Sequence, residues 1–137
     1  IDDGLLAAQS QEEFFSQADV VSIHLRLVEA TQGIVTEADL TRMKHDALFV
    51  NTSRAGLVEP NALARSLRAG RPGFAAIDVF DDEPISDALH PLLSMDNVLA
   101  TPHIGYVEQD NYESYFGTAF DNILAFLAEE PNNRMLR

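Results

Sequence analysis

Apolar residues recur along this chain in two alternating rhythms, short runs bounded by polar residues and longer stretches in which they return every three or four positions. The first rhythm is that of strands buried in a sheet, the second that of helices with one apolar stripe. Ser10 followed by Glu13 has the spacing of a capping box, which predicts a short helix turning Phe14 and Phe15 inward. The β-branched, apolar run over residues 19–24 predicts a parallel strand covered on both faces. Thr36 is placed to cap a helix in which Leu40 and Met43 share a face. Residues 47–50 read as the next strand, and residues 60–69 as the next helix, with Pro60 in its first turn and Gly70 at its stop. Residues 74–79 follow as a strand, and beyond an acidic loop residues 98–100 form a last short one. Tyr112, Tyr115, Phe116, Ala119, Phe120, Ile123, Leu124 and Leu127 then fall at helical spacing. They predict a long amphipathic helix over residues 108–129 with one broad aromatic face, ended by Pro131.

Strand alternating with helix at this interval implies βαβ units and a parallel sheet, an α/β fold read as part of a Rossmann-like, doubly wound architecture. Such sheets bind ligands at the carboxyl ends of their strands, so the polar residues just after each strand are the ones that matter.

Composition narrows the possibilities. At 137 residues with 46% apolar and 23% charged, the chain suits one hydrophobic core. A net charge of -13, with nine Lys and Arg scattered along it, repels phosphate backbones and anionic membrane surfaces, so neither nucleic acid nor membrane is an expected partner. Cysteine is absent, no apolar run is long enough to span a bilayer, and no leader is recognisable, which makes the cytoplasm the expected compartment. The chain opens at Ile1 without an initiator Met and is read as a segment of something longer.

Collected from the strand ends, the polar groups are His24, then Asn51, Thr52, Ser53 and Arg54, then Asp78 with Asp81, Asp82 and Glu83, then His103 with Gly105. Singly, each has an ordinary reading: Arg54 as a surface residue, Glu83 as a solvated loop carboxylate, His103 as a loop histidine. Together they make a working set. An arginine is a planar fork for a substrate carboxylate, and a carboxylate beside an imidazole stabilises the charged ring and fixes which nitrogen faces the substrate. The histidines lack metal-binding spacing, so no metal site is expected; there is no thiol nucleophile, and Ser53 lacks the G-x-S-x-G elbow of a serine hydrolase.

Four stretches carry a family resemblance: A-D-V-V-S-I-H-L from Ala18, L-F-V-N-T-S-R-A-G-L-V from Leu48, A-A-I-D-V-F-D-D-E-P from Ala75, and P-H-I-G from Pro102. In this order and spacing they resemble the D-isomer-specific 2-hydroxyacid dehydrogenases. The resemblance implies an NAD-dependent oxidoreductase that interconverts a D-2-hydroxy acid and its 2-keto acid, NADP not being excluded. It implies that Arg54 holds the substrate's carboxylate and keto oxygen, that His103 is the acid/base, and that Glu83 orients and charges His103. It also implies that Asp78 lies near the nicotinamide carboxamide, that His24 and Thr31 line the cofactor cleft, and that Thr52, Ser53 and Gly105 approach the nicotinamide. By the same resemblance residues 1–107 are the second half of a Rossmann-like NAD-binding domain, residues 108–137 a helix returning to the substrate domain, and the complete protein a homodimer.

Two departures accompany it. Arg26 stands where the family usually has Pro, and no G-x-G-x-x-G occurs, so the phosphate-binding loop and the residue choosing NAD over NADP are expected before Ile1. The isolated segment is therefore expected to be inactive and prone to self-association through its aromatic helix. Glu83 argues for hydroxy acids over formate, since the family's formate dehydrogenases carry Gln there. Two other classes compete with an enzyme: a non-catalytic NAD-sensing module on the same fold, and a cofactor-free α/β scaffold.

Overall fold

The computed structural model describes residues 6–85 and 90–130. The chain divides after His103 into two compact units. In the first, α1 (Gln11–Gln17), β1 (Val20–Ile23), α2 (Glu37–Arg42), β2 (Leu48–Asn51), α3 (Ala62–Arg68), β3 (Phe74–Ile77) and β4 (Val98–Ala100) follow one another, and short 3-10 turns at residues 29–31, 55–57 and 91–94 lie between them. The four strands form one parallel sheet in the order β1-β2-β3-β4. The parallel α/β sheet expected from the alternation is therefore present, with strand edges within a residue or two of those read from the sequence.

Register decides which side chains go inward. Val21, Phe49, Ala75 and Val98 lie side by side across the sheet, as do Ile23, Asn51, Ile77 and Ala100. This face meets Phe15, Leu40, Met43, Leu63 and Leu67 in one core. The opposite face is apolar too but open: Val20, Phe74 and Leu99 are 58%, 53% and 66% exposed. Among the described residues helices therefore cover one face of the sheet, and β1, expected to be covered on both faces, alternates exposed and buried residues because its second face meets no helix there. Of the two phenylalanines expected inward, only Phe15 is buried; Phe14 is 45% exposed and meets Phe15 edge-on. Adjacent helical residues point about 100° apart, so one short helix cannot turn both into the same core.

The helix starts are built by local hydrogen bonds. The Ser10 hydroxyl accepts the Glu13 N–H, and the Glu13 carboxylate accepts the N–H of Gln9, one residue earlier than a strict capping box requires. Thr36 and Asp39 form the full reciprocal box at α2. Asp39, 6% exposed, also accepts from Gln11 Nε2 at 2.9 Å, so one buried carboxylate both starts α2 and ties α1 to it. The third helix begins at Ala62, after Pro60 and after Asn61 in a left-handed conformation, and ends where Gly70 takes φ +84°. Entry to β3 admits only glycine at position 73, because a Cβ there would stand 2.1 Å from the His45 carbonyl oxygen.

The second unit holds α4 (Gln109–Leu127), which is long and amphipathic as its spacing predicts. Its aromatic face is open, with Tyr115, Phe116 and Phe120 all more than half exposed. Pro131, expected to end it, lies outside the described residues. Among the described residues no helix is long and apolar enough to cross a membrane.

Candidate active site

The carboxyl ends of the parallel strands deliver the polar residues to one edge of the first unit. After β1, His24 pairs through Nε2 with the Ser22 hydroxyl at 2.8 Å. Thr31 sits in the turn that follows, where its hydroxyl donates to the Arg26 carbonyl at 2.6 Å and accepts the Val28 N–H at 2.9 Å. The oxygen of Thr31 is thereby engaged in shaping its own turn.

After β2, Thr52 is exposed and the loop 52–54 is held from below by Asn51, which is buried. Ser53 donates its hydroxyl to the Leu25 carbonyl at 2.7 Å, linking the segments that follow β1 and β2. Arg54 is exposed, and its Nη1 donates to the Ser53 carbonyl at 2.6 Å. That contact uses one of five guanidinium N–H groups.

After β3 the chain places Asp78, 3% exposed, which accepts a hydrogen bond from the Thr101 hydroxyl at the end of β4. Glu83 lies a short turn further on. One carboxylate oxygen accepts the Phe80 N–H at 2.8 Å, and the other lies 2.6 Å from His103 Nδ1. The carboxyl is held below its ordinary value of 4.5, first by the hydrogen bond with His103 and then by that from Phe80; partial burial opposes them, and the charges of His103 and Arg54 add to them. An ionised carboxylate can only accept, so Nδ1 carries the proton and proton exchange with a ligand falls to Nε2. His103 adopts φ +56°, a conformation uncommon for a side chain of this size and concentrated at functional positions. The pair opens on a hollow whose apolar wall includes Phe80, Ile85, Leu93 and Pro102, a setting that strengthens charge interactions. A separate hollow lies between Asn51, Asn61 and His90 and includes none of Arg54, Glu83 and His103.

Among the residues expected from the sequence, Glu83 and His103 are in direct contact, Arg54 is near enough for its charge to act on Glu83, and Asp78 lies at the end of the neighbouring strand. Gly105 belongs to the second unit. Asn51 was collected with the strand-end groups but given no role, and two further contributors, Thr101 and the Phe80 N–H, were not singled out. Asn51 was legible in principle, being a polar residue at an inward-facing position of an apolar strand, where a buried amide must find partners. Among the described residues no cluster of three or more potential ligands could hold a metal ion.

Known proteins resemble this chain in sequence and in fold. A glyoxylate reductase from Aeropyrum pernix is 36% identical over 118 residues, which is 86% of this chain and 35% of that protein. A hydroxypyruvate reductase from Thermotoga maritima is 39% identical over 95 residues, 69% of this chain and 31% of that protein. The crystal structure of a phosphoglycerate oxidoreductase from Vibrio cholerae is 53% identical, with a TM-score of 0.84, and the match covers 92% of this chain and 40% of that one. The chain thus spans about a third of the length of the curated relatives it matches. The family model for the NAD-binding domain of D-isomer specific 2-hydroxyacid dehydrogenases matches residues 2–105. That match takes in all four strands and the Arg54, Glu83 and His103 positions, and the chain belongs to the D-isomer specific 2-hydroxyacid dehydrogenase family.

Proposed function

We propose that this chain supplies the carboxylate anchor and the acid/base of an NAD-dependent dehydrogenase that interconverts a D-2-hydroxy acid and its 2-keto acid. The observation that carries the reading is the Glu83–His103 pair, 2.6 Å apart at the carboxyl ends of a parallel sheet, with Arg54 near enough for its charge to act on Glu83. The nucleotide fits this edge on chemical grounds. Asp78 is an acceptor of the kind a carboxamide N–H requires, and His24 and Thr52 are exposed along the same edge. A bound reduced nicotinamide would supply hydride to the substrate's C2.

The chain's own residues account for the rest. Arg54 is a planar, permanently charged fork that binds a carboxylate through two parallel hydrogen bonds and fixes the orientation of the adjacent carbonyl. His103, protonated on Nε2, gives that proton to the carbonyl oxygen as it becomes a hydroxyl, and recovers it when the hydroxy acid is oxidised. Glu83 holds the ring in the tautomer that presents Nε2 and stabilises the positive charge the ring carries before transfer. By itself the chain contains no G-x-G-x-x-G for the pyrophosphate, so catalysis is assigned to the complete product of its gene.

The test is NADH oxidation by that complete product against glyoxylate, hydroxypyruvate, pyruvate and a branched 2-keto acid. Turnover on at least one acid is expected. His103→Ala and Arg54→Ala should each lower kcat/KM by roughly 10² to 10⁴-fold, the scale of a lost acid/base or anchoring group. Tight NADH binding with no turnover on any acid would replace the enzyme reading with that of a sensing module.

A further inference from the structure

We infer that Asn51 positions Arg54, acting as an internal clamp that sets the geometry of the substrate-carboxylate anchor. The inference rests on the function proposed above. Asn51 closes β2 on the face that meets the core, beside Ile23 on one neighbouring strand and Ile77 on the other. It is 2% exposed among aliphatic neighbours, where an amide is tolerated only if its hydrogen bonds are made. Both of its ends are used, and both on the same loop. Its Oδ1 accepts the Ser53 N–H at 3.0 Å, and its Nδ2 donates to the Arg54 carbonyl at 3.0 Å. One rigid, planar amide therefore spans the loop 52–54 and fixes the backbone on either side of the peptide that joins Ser53 to Arg54.

Two further bonds make that clamp consequential for the guanidinium. The Ser53 carbonyl, in the same peptide, receives Arg54 Nη1, and the Ser53 hydroxyl anchors the loop to the Leu25 carbonyl. The direction of the Arg54 side chain is thus set by a peptide plane whose orientation Asn51 dictates. Placement of this kind matters most for an anchor, because a displacement of about 1 Å at a reacting centre can lower rate by roughly 100-fold. The contacts of Asn51 are made to the loop and leave the substrate to Arg54, so Asn51 is a positioning residue.

The experiment uses the complete gene product with Asn51→Asp, which keeps the acceptor for Ser53 and loses the donor to Arg54, and Asn51→Leu, which removes both at similar size. Each is expected to raise KM for the 2-keto acid by about ten-fold or more and to weaken oxamate binding in the presence of NADH, with KM for NADH within about two-fold of wild type. In an Arg54→Ala background the same substitutions should add nothing to KM for the keto acid, since two residues acting through one interaction are not additive. A lower melting temperature with unchanged KM and oxamate affinity, or effects that simply add to those of Arg54→Ala, would overturn the inference. Wild-type protein that turns over no keto acid would instead overturn the proposed function. The crystal structure of Asn51→Leu then decides the inference, which falls if the Arg54 loop keeps its place.

Discussion

Replacing Glu83 with Gln changes one atom of the proposed acid/base pair and tests how the pair works. In the wild type the carboxylate accepts two hydrogen bonds, from the Phe80 N–H and from His103 Nδ1. Gln has one acceptor and one donor group, so it cannot serve both. If its oxygen turns to Phe80, its NH2 faces Nδ1, which must then lose its proton. If its oxygen turns to His103, two N–H donors confront each other at Phe80. Either way a charge-assisted bond to the ring becomes a neutral one, a difference of about 1 kcal/mol before reduction for a side chain about a third exposed. The sign follows from the anion: without it the protonated ring is less favoured, so the pH at which reductase activity falls to half should move down. The assay is kcat/KM for the keto acid from pH 5 to 9 on the complete gene product, with a melting curve at each pH. A profile superimposable on wild type would refute the coupling, and an upward displacement would refute its sign. The same pair carries a stability signature. Because the Glu83 carboxyl is lowered from 4.5 in the folded protein, its contribution is present above that value and lost as pH falls through the lowered one, and Glu83→Gln should abolish that acid-limb loss.

Two structural substitutions follow from contacts equally specific. Gly73→Ala would set a Cβ 2.1 Å from the His45 carbonyl oxygen and 3.3 Å from Asp46 Cα, both backbone atoms, so β3 must shift. A loss of about 3 kcal/mol or more is expected, read as a fall of several degrees in melting temperature; a melting temperature within one degree of wild type would contradict the close approach. Asp39→Ala strips the acceptor from the Thr36 N–H, the Thr36 hydroxyl and Gln11 Nε2. It should lower stability by about 2 to 4 kcal/mol in chemical denaturation, with Asp39→Asn recovering part of it.

How far these features were legible varies with their physical origin. Local and periodic ones were read directly. A hydroxyl three residues before a carboxylate, a Gly at a helix stop, and apolar runs separated by helical spacing are properties of neighbouring residues, so Ser10, Thr36 and Gly70 announced their roles. Parallel pairing followed as well, because strand and helix alternate and such connections admit few topologies. Which of two adjacent apolar residues goes inward was not legible, since Phe14 and Phe15 are chemically alike and only their angle to the core separates them. The candidate set was visible because its residues all follow strands.

By itself the sequence determined that a parallel α/β sheet would form and that Arg54, Glu83 and His103 would gather at the strand ends, because periodicity and turn chemistry act over a few residues. Tertiary structure alone decided the rest. Asp39 became the tie between two helices, Gly73 the one residue that passes His45, and Asn51 the clamp beneath Arg54 through bonds that depend on which face of β2 turns inward. These contacts join groups by distance and direction in space, and position along the chain fixes neither until the sheet has set its register.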